Sequence, residues 1–88
     1  MSTPSRFFAA HMIYLEELGV LREQAGLSCA DLASRLGVQE DAVFKGEAGL
    51  RRIDVVELQM WAAACGSSLT EFMARVDERL GRVPARFH

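Results

Sequence analysis

Apolar residues recur along the chain at helical spacing, in five segments that glycines separate. The first segment begins near Ser5 and ends near Ala25, just before Gly26. Its predicted apolar stripe consists of Phe8, Met12, Leu15, Leu18 and Leu21. Gly19 lies inside this segment and is a candidate bend. No strand pattern, internal repeat or low-complexity tract interrupts the series, so the sequence predicts an all-α fold.

Two short helices joined by a tight turn are predicted within residues 26–49. Ser28 is a suitable N-cap, and Asp31 stands three residues later, where a capping box would have Glu or Gln. Gly37 ends the first of these helices, because a left-handed conformation costs glycine nothing. The second helix starts near Gln39. This spacing is that of a helix-turn-helix, whose second helix enters the major groove in DNA-binding proteins.

Capping signals also predict the starts of the fourth and fifth helices. Asp54 begins the fourth helix, and Glu57 is expected to complete a capping box there. Ser68 and Glu71 give the same signal for the fifth helix. The predicted apolar face of the fourth helix consists of Leu58, Trp61, Ala62 and Cys65, and that of the fifth of Leu69, Phe72, Met73, Val76 and Leu80.

Length and composition narrow the class of protein. The chain has 88 residues, half of them hydrophobic, which suits one domain with a modest core. No apolar run is long enough to span a membrane, and the N-terminus lacks a signal-peptide pattern, so we expect a cytoplasmic protein. Cys29 and Cys65 have no metal-ligand spacing, which predicts reduced thiols and no metal or cofactor. Nothing has the pattern of a catalytic nucleophile, so no enzyme is predicted.

A set of mostly structural positions stands in order and without gaps over roughly residues 15–76. The set is Gly26-Leu27-Ser28, Asp31-Leu32-Ala33, Leu36-Gly37-Val38, Val43, Glu47, Gly49, Arg51-Arg52-Ile53-Asp54, Ala64, Gly66 and Leu69. Together they resemble the phage-repressor-like (Cro/cI, or Xre) family of helix-turn-helix transcriptional regulators. The resemblance implies a compact five-helix, lambda-repressor-like DNA-binding domain over residues 15–80. Residues 1–14 would extend its first helix, and residues 81–88 would form a short basic tail.

The resemblance also implies particular residue roles. Arg22 and Glu47 occupy the positions of a structural ion pair, and two independent solvated charges are the alternative. Contacts to DNA bases are implied for Gln39, Glu40, Asp41 and Lys45, with a phosphate contact or a solvated side chain as the alternatives for Lys45. Phe44 is a further candidate for DNA binding. Contacts to the DNA backbone are implied for Ser28, Arg51 and Arg52.

The sequence departs from the family on the surface that would contact DNA. The family has Gln after the cap serine, where this chain has Cys29, and it disfavours the two acids Glu40 and Asp41. A carboxylate can accept a hydrogen bond from cytosine N4, but the surrounding phosphates repel it. Position 46, usually a bulky apolar residue, is glycine. Phe44 either fills that space or stays exposed to contact a thymine methyl group or a partner protein.

Two functions remain open. The net charge of −2 is unusual for a nucleic-acid binder, although its distribution matters more than its sum. The first is a DNA-binding regulator, acting as a repressor and as a homodimer on a pseudo-palindromic operator, with the fifth helix and the tail as the dimer surface. The second is a protein-interaction module whose acidic third helix binds a protein partner. The aromatic residues Phe7, Phe8 and Tyr14 either cover the fifth helix or belong to a dimer interface.

Overall fold

The computed structural model describes residues 5–83, which form five α-helices. They are α1 (Arg6–Gln24), α2 (Cys29–Leu36), α3 (Glu40–Glu47), α4 (Val55–Ala64) and α5 (Leu69–Gly81). Residues 5–83 contain no strand, and the all-α prediction of five helices is confirmed. Within the same range, no helix combines the length and the apolarity needed to cross a membrane.

Polar side chains begin four of the five helices. Ser28 and Asp31 form a reciprocal capping box at α2, with both hydrogen bonds 3.0 Å long. Caps of the simpler kind begin α1, α4 and α5 at Ser5, Asp54 and Ser68. The capping boxes predicted at α4 and α5 are wrong. The carboxylate of Glu57 binds Arg51, and that of Glu71 accepts from the Ser68 hydroxyl at 3.4 Å, so neither binds the cap backbone. Asp54 alone accepts the backbone N–H of Glu57, at 2.8 Å.

The core takes one fully buried large side chain from every helix. These side chains are Leu18 of α1, Leu32 of α2, Val43 of α3, Trp61 of α4 and Phe72 of α5. Burying a side chain of this size stabilises the fold by about 1.5–3 kcal/mol. The five helices therefore share one core, and the helix-turn-helix formed by α2 and α3 packs against both α1 and α4.

The inward face of α1 differs from the predicted stripe. Phe8 and Met12 are 52% and 41% exposed, whereas Ile13 and Glu17 are buried. The cause is helical geometry. The residues of the predicted stripe are on average less than one helical turn of 3.6 residues apart, so successive members lie progressively further around the helix. At 100° per residue, Phe8 lies about 140° around the helix from Leu21, so the two cannot face one core.

A charged network joins α1 to α5. The carboxylate of Glu17, only 6% exposed, accepts hydrogen bonds from Arg79 at 2.9 Å and lies 3.1 Å from Arg75. Arg79 also donates to Glu16 at 2.6 Å, and hydrogen bonds to the two glutamates raise the pKa of its guanidinium. Because a buried carboxylate needs partners, these arginines serve the packing of α5 on α1.

The apolar stripe of α5 faces the interior of the chain. Phe72 and Val76 are buried, and Tyr14 packs edge-on against Phe72 with ring centroids 6.1 Å apart. Tyr14 therefore covers α5, whereas Phe7 is 84% exposed. Met73 is the exposed residue of this stripe, at 37%, so the dimer surface expected along α5 would have to use Met73 and the polar side of the helix. Most of the predicted basic tail lies outside the described residues.

Candidate nucleic-acid interface

The angle between α2 and α3 is set by the turn at residues 37–39. Gly37 adopts a left-handed conformation with φ of 71°, which most side chains rarely allow. The backbone N–H of Val38 then donates to the carbonyl of Ala33 at 3.0 Å and closes the end of α2. Gln39 occupies the N-cap of α3 without a side-chain hydrogen bond to its backbone. The N-terminus of α3 therefore stays uncapped and open to the surface.

A bidentate ion pair joins the C-terminal end of α3 to α1. Arg22 donates through Nε to Glu47 Oε2 at 2.7 Å and through Nη2 to Oε1 at 3.1 Å. Its Nη1 donates to the carbonyl of Leu27 at 2.9 Å. The hydrogen bonds to Glu47 are the main reason that the pKa of Arg22 is raised. With side chains only 17% and 15% exposed, the pair forms part of the structure and is not two solvated charges.

Gly46 is buried beneath the indole ring of Trp61. A β-carbon at position 46 would lie 2.9 Å from Cδ1 of Ile53 and 3.1 Å from the Trp61 ring. The space that the family fills with a side chain from position 46 is filled here from α4. The expectation that Phe44 could turn inward is therefore wrong, and its ring is 57% exposed.

The outer face of α3 carries the residues expected to contact DNA bases. Glu40, Asp41, Phe44 and Lys45 are all exposed, as is Gln39 before them. The Lys45 ammonium lies 2.9 Å from the Asp41 carboxylate, one helical turn away. This pair balances one of the two acids. Within residues 5–83, Glu40 has no side-chain hydrogen bond or ion pair, whereas Asp41 has the pair with Lys45.

The loop between α3 and α4 contains two adjacent arginines with different surroundings. Arg51 donates twice to the carbonyl of Ala42, at 3.2 and 3.1 Å, and twice to Glu57, at 3.0 and 2.7 Å. The hydrogen bonds to Glu57 raise the pKa of Arg51. Arg51 therefore has a structural role, joining α3 to α4, and the phosphate contact expected of it stays a prediction. Arg52 is exposed and has no ion-pair partner among the described residues.

The resulting surface consists of the outer face of α3, the start of α2 and Arg52. Ser28 stands at the N-terminus of α2, where its hydroxyl accepts the N–H of Asp31. Cys29 lines a shallow depression of about 440 Å³ with Glu40, Asp41 and Phe44. Within residues 5–83, no three His, Cys, Asp or Glu side chains are grouped so as to hold a metal ion. Sequence reasoning missed the Arg51–Glu57 pair, because a separation of six residues across a loop carries no periodic signal.

These features define a helix-turn-helix domain whose second helix stands exposed on a rigid support. A family model described as helix-turn-helix matches residues 18–72. The chain belongs to this family, the Cro/cI-type regulators, as the sequence resemblance implied. Its members are DNA-binding transcriptional regulators, a class that is not enzymatic. No curated protein matches the chain.

Proposed function

We propose that the chain is a sequence-specific DNA-binding transcriptional regulator, which represses by occupying a pseudo-palindromic operator as a homodimer. The observation that carries the proposal is the exposed outer face of α3, supported from behind by the Arg22–Glu47 pair and by Trp61. An α-helix presented in this way fits the major groove, with the side chains of its first turns at the base edges. The family membership supports the same conclusion.

Contacts to the DNA backbone would come from the start of α2 and from the loop after α3. The first backbone N–H groups of α2 and the positive end of its dipole favour a phosphate beside Ser28. Arg52 would reach a second phosphate, because its charge is unpaired among residues 5–83. Arg51 would act indirectly, since its four hydrogen bonds hold the loop that carries Arg52.

The dimer part of the proposal rests on exposed apolar residues near that loop. Phe7, Val55 and Met73 are 84%, 64% and 37% exposed and line one groove of about 740 Å³. Gly49 and Arg52 line the same groove, which therefore adjoins the C-terminal end of α3. A second copy docked here would place its α3 on the same side of the dimer as the first, and a pseudo-palindromic operator requires the two helices to lie about 34 Å apart. Val55→Glu should then shift the protein from dimer to monomer in analytical ultracentrifugation.

The test is binding to native upstream DNA and to random-sequence DNA at about 50 and 200 mM salt. Tight binding to one upstream fragment, weakening steeply with salt, is expected. Arg52→Ala should weaken binding to all fragments and lower the slope of affinity against salt by about 1. Arg82→Ala is the matched control, because Arg82 is also exposed but pairs with Glu78 at the C-terminal end of α5. An equal loss of DNA affinity in the two variants would show that Arg52 makes no specific contact to a phosphate.

A protein-interaction function is the second candidate, favoured by the composition of the outer face of α3. Glu40 is unpaired there among the described residues, Lys45 is paired with Asp41, and Phe44 exposes an aromatic ring. Replacing Glu40 with Gln and Asp41 with Ser discriminates between the two functions. The double variant should bind DNA more tightly in general if α3 docks in DNA. It should lose a protein partner if the acidic face is that partner's binding site.

A further inference from the structure

Glu40 and Phe44 form an exposed unit of two neighbouring side chains on α3. They are four residues apart, so they stand on the same side of the helix about one turn apart. Both line the depression of about 440 Å³ that also includes Cys29 and Asp41. Both are exposed, and neither supports the core. Their side chains can therefore meet a ligand without any change in the fold.

The charges around the unit leave one acceptor unoccupied. Asp41 is engaged with Lys45 at 2.9 Å, so this pair adds no net charge to the face. Glu40 is exposed, has no side-chain hydrogen bond or ion pair within residues 5–83, and can accept hydrogen bonds with both oxygens. At neutral pH a glutamate carboxylate has no hydrogen to donate, so it selects for base edges that present donors.

Two groups in the major groove suit these side chains. Cytosine N4 is a donor with no acceptor beside it on the same base, whereas the N6 donor of adenine stands next to the N7 acceptor, which repels a carboxylate. The phenyl ring of Phe44 cannot hydrogen-bond, and the apolar group in the groove is the C5-methyl of thymine. One helical turn of 5.4 Å corresponds to roughly one to two base-pair steps of 3.4 Å.

We propose that α3 recognises a cytosine through Glu40 and the C5-methyl group of a thymine one or two positions away through Phe44. This inference rests on the proposed DNA-binding function and specifies two of the bases that α3 would contact. The carboxylate is repelled by the phosphates of every sequence alike. Glu40 therefore contributes to the choice of sequence while lowering the affinity for DNA in general.

That combination predicts an unusual result for Glu40→Gln. The variant should bind random-sequence DNA more tightly than the native protein, because a negative charge is gone. At the cytosine position its preference should move to adenine by at least about tenfold, since glutamine pairs with adenine N6 and N7. Asp77→Asn is the matched control. Asp77 is exposed on α5, so its neutralisation should raise affinity a little without moving the base preference.

Chemically altered duplexes test the contact to the methyl group. After selection of a preferred site from random duplexes, replacing the thymine with uracil deletes one methyl group and should weaken the native protein about fourfold. Phe44→Ala should bind the thymine and uracil duplexes equally. Circular dichroism would show that the variants fold, as expected for exposed positions.

The outcomes separate this inference from the function on which it rests. Selected sites without a cytosine and a neighbouring thymine would overturn the inference, while DNA binding itself would stand. An unchanged base preference in Glu40→Gln, or a uracil effect that persists in Phe44→Ala, would have the same consequence. Failure of the native protein to bind any duplex at about 50 mM salt would overturn both.

Discussion

Replacing Gly46 with alanine has two opposite effects on the free energy of unfolding: it raises helix propensity, and it introduces close contacts in the core. The larger effect decides whether the variant is more or less stable. Alanine favours the helix by about 1 kcal/mol relative to glycine. Against this, the new β-carbon would stand 2.9 Å from Ile53 Cδ1 and 3.1 and 3.3 Å from two atoms of the Trp61 ring. Ile53 can shift, because the contact is the far end of its side chain. The Trp61 ring is fully buried and cannot.

Overpacking of this kind costs about 1–3 kcal/mol, so we expect a net loss near 1 kcal/mol for Gly46→Ala. A domain of this size should then melt about 4–8 °C lower. The indole Nε1 has no hydrogen-bond partner within residues 5–83, so packing alone holds the ring in place. The fluorescence of Trp61, the one tryptophan of the chain, should change when the ring is displaced.

Gly19→Ala is the matched control within a helix. Its β-carbon would meet Glu47 Oε1 at 3.6 Å, an ordinary contact, so the gain in helix propensity should dominate. Urea unfolding followed by circular dichroism should show Gly19→Ala more stable than the native protein and Gly46→Ala less stable. Equal stabilisation by the two substitutions would refute the conclusion that Trp61 occupies the space above α3. Ile53→Val removes the Cδ1 atom that the new β-carbon would meet. Adding it to Gly46→Ala should therefore restore the part of the free energy of unfolding that is lost to the contact with Ile53.

Three further predictions concern charged and titrating groups. Glu47→Ala should lower the free energy of unfolding by about 2 kcal/mol, because it leaves the Arg22 guanidinium poorly solvated; a loss below about 0.5 kcal/mol in urea unfolding would contradict this. Arg51→Lys should destabilise the fold by about 1 kcal/mol, since lysine keeps the charge but not the fork that joins Ala42 to Glu57; a thermal melt equal to that of the native protein would argue against that role. The pKa of Tyr14, the chain's one tyrosine, should lie above its ordinary value of 10.0, because burial and the charge of Glu57 disfavour the phenolate. The contribution of Tyr14 to stability is thus complete below pH 10 and declines as the pH rises through its pKa in the folded protein. Phenolate absorbance measures the pKa of Tyr14 in the native and in the urea-unfolded protein.

The parts of the fold that the sequence predicts are those with local causes. Ser28 and Asp31 cap α2 across three residues, and Gly37 ends it through its own backbone conformation. Such signals depend on neighbours in the chain, so they can be recognised before any tertiary contact is known. The same holds for the boundaries of α4 and α5, which follow Asp54 and Ser68.

The details that sequence reasoning misses are those decided by contacts between helices. Nothing local indicates that Arg51 turns inward and Arg52 outward, because the choice depends on where Ala42 and Glu57 lie relative to the loop. The exposure of Phe44 likewise depends on α4, because the Trp61 ring occupies the space next to Gly46 that Phe44 was expected to fill. Two of the residues expected to contact DNA thus change role or environment for tertiary reasons.

The charge of the whole chain is a poor guide to this interface, because half of its twelve acids pair with a basic side chain. Glutamates 16, 17, 47, 57 and 78 each pair with an arginine, and Asp41 pairs with Lys45. Paired charges largely cancel beyond a Debye length of about 8–10 Å, so a DNA phosphate responds mainly to the unpaired groups nearest to it. On the surface proposed for DNA these are Glu40, Asp31 and Arg52, none of which has an ion-pair partner within residues 5–83. If the proposed function is correct, DNA binding would depend on the local balance between Arg52, which would attract phosphates, and the nearby carboxylates, and not on a net charge of −2.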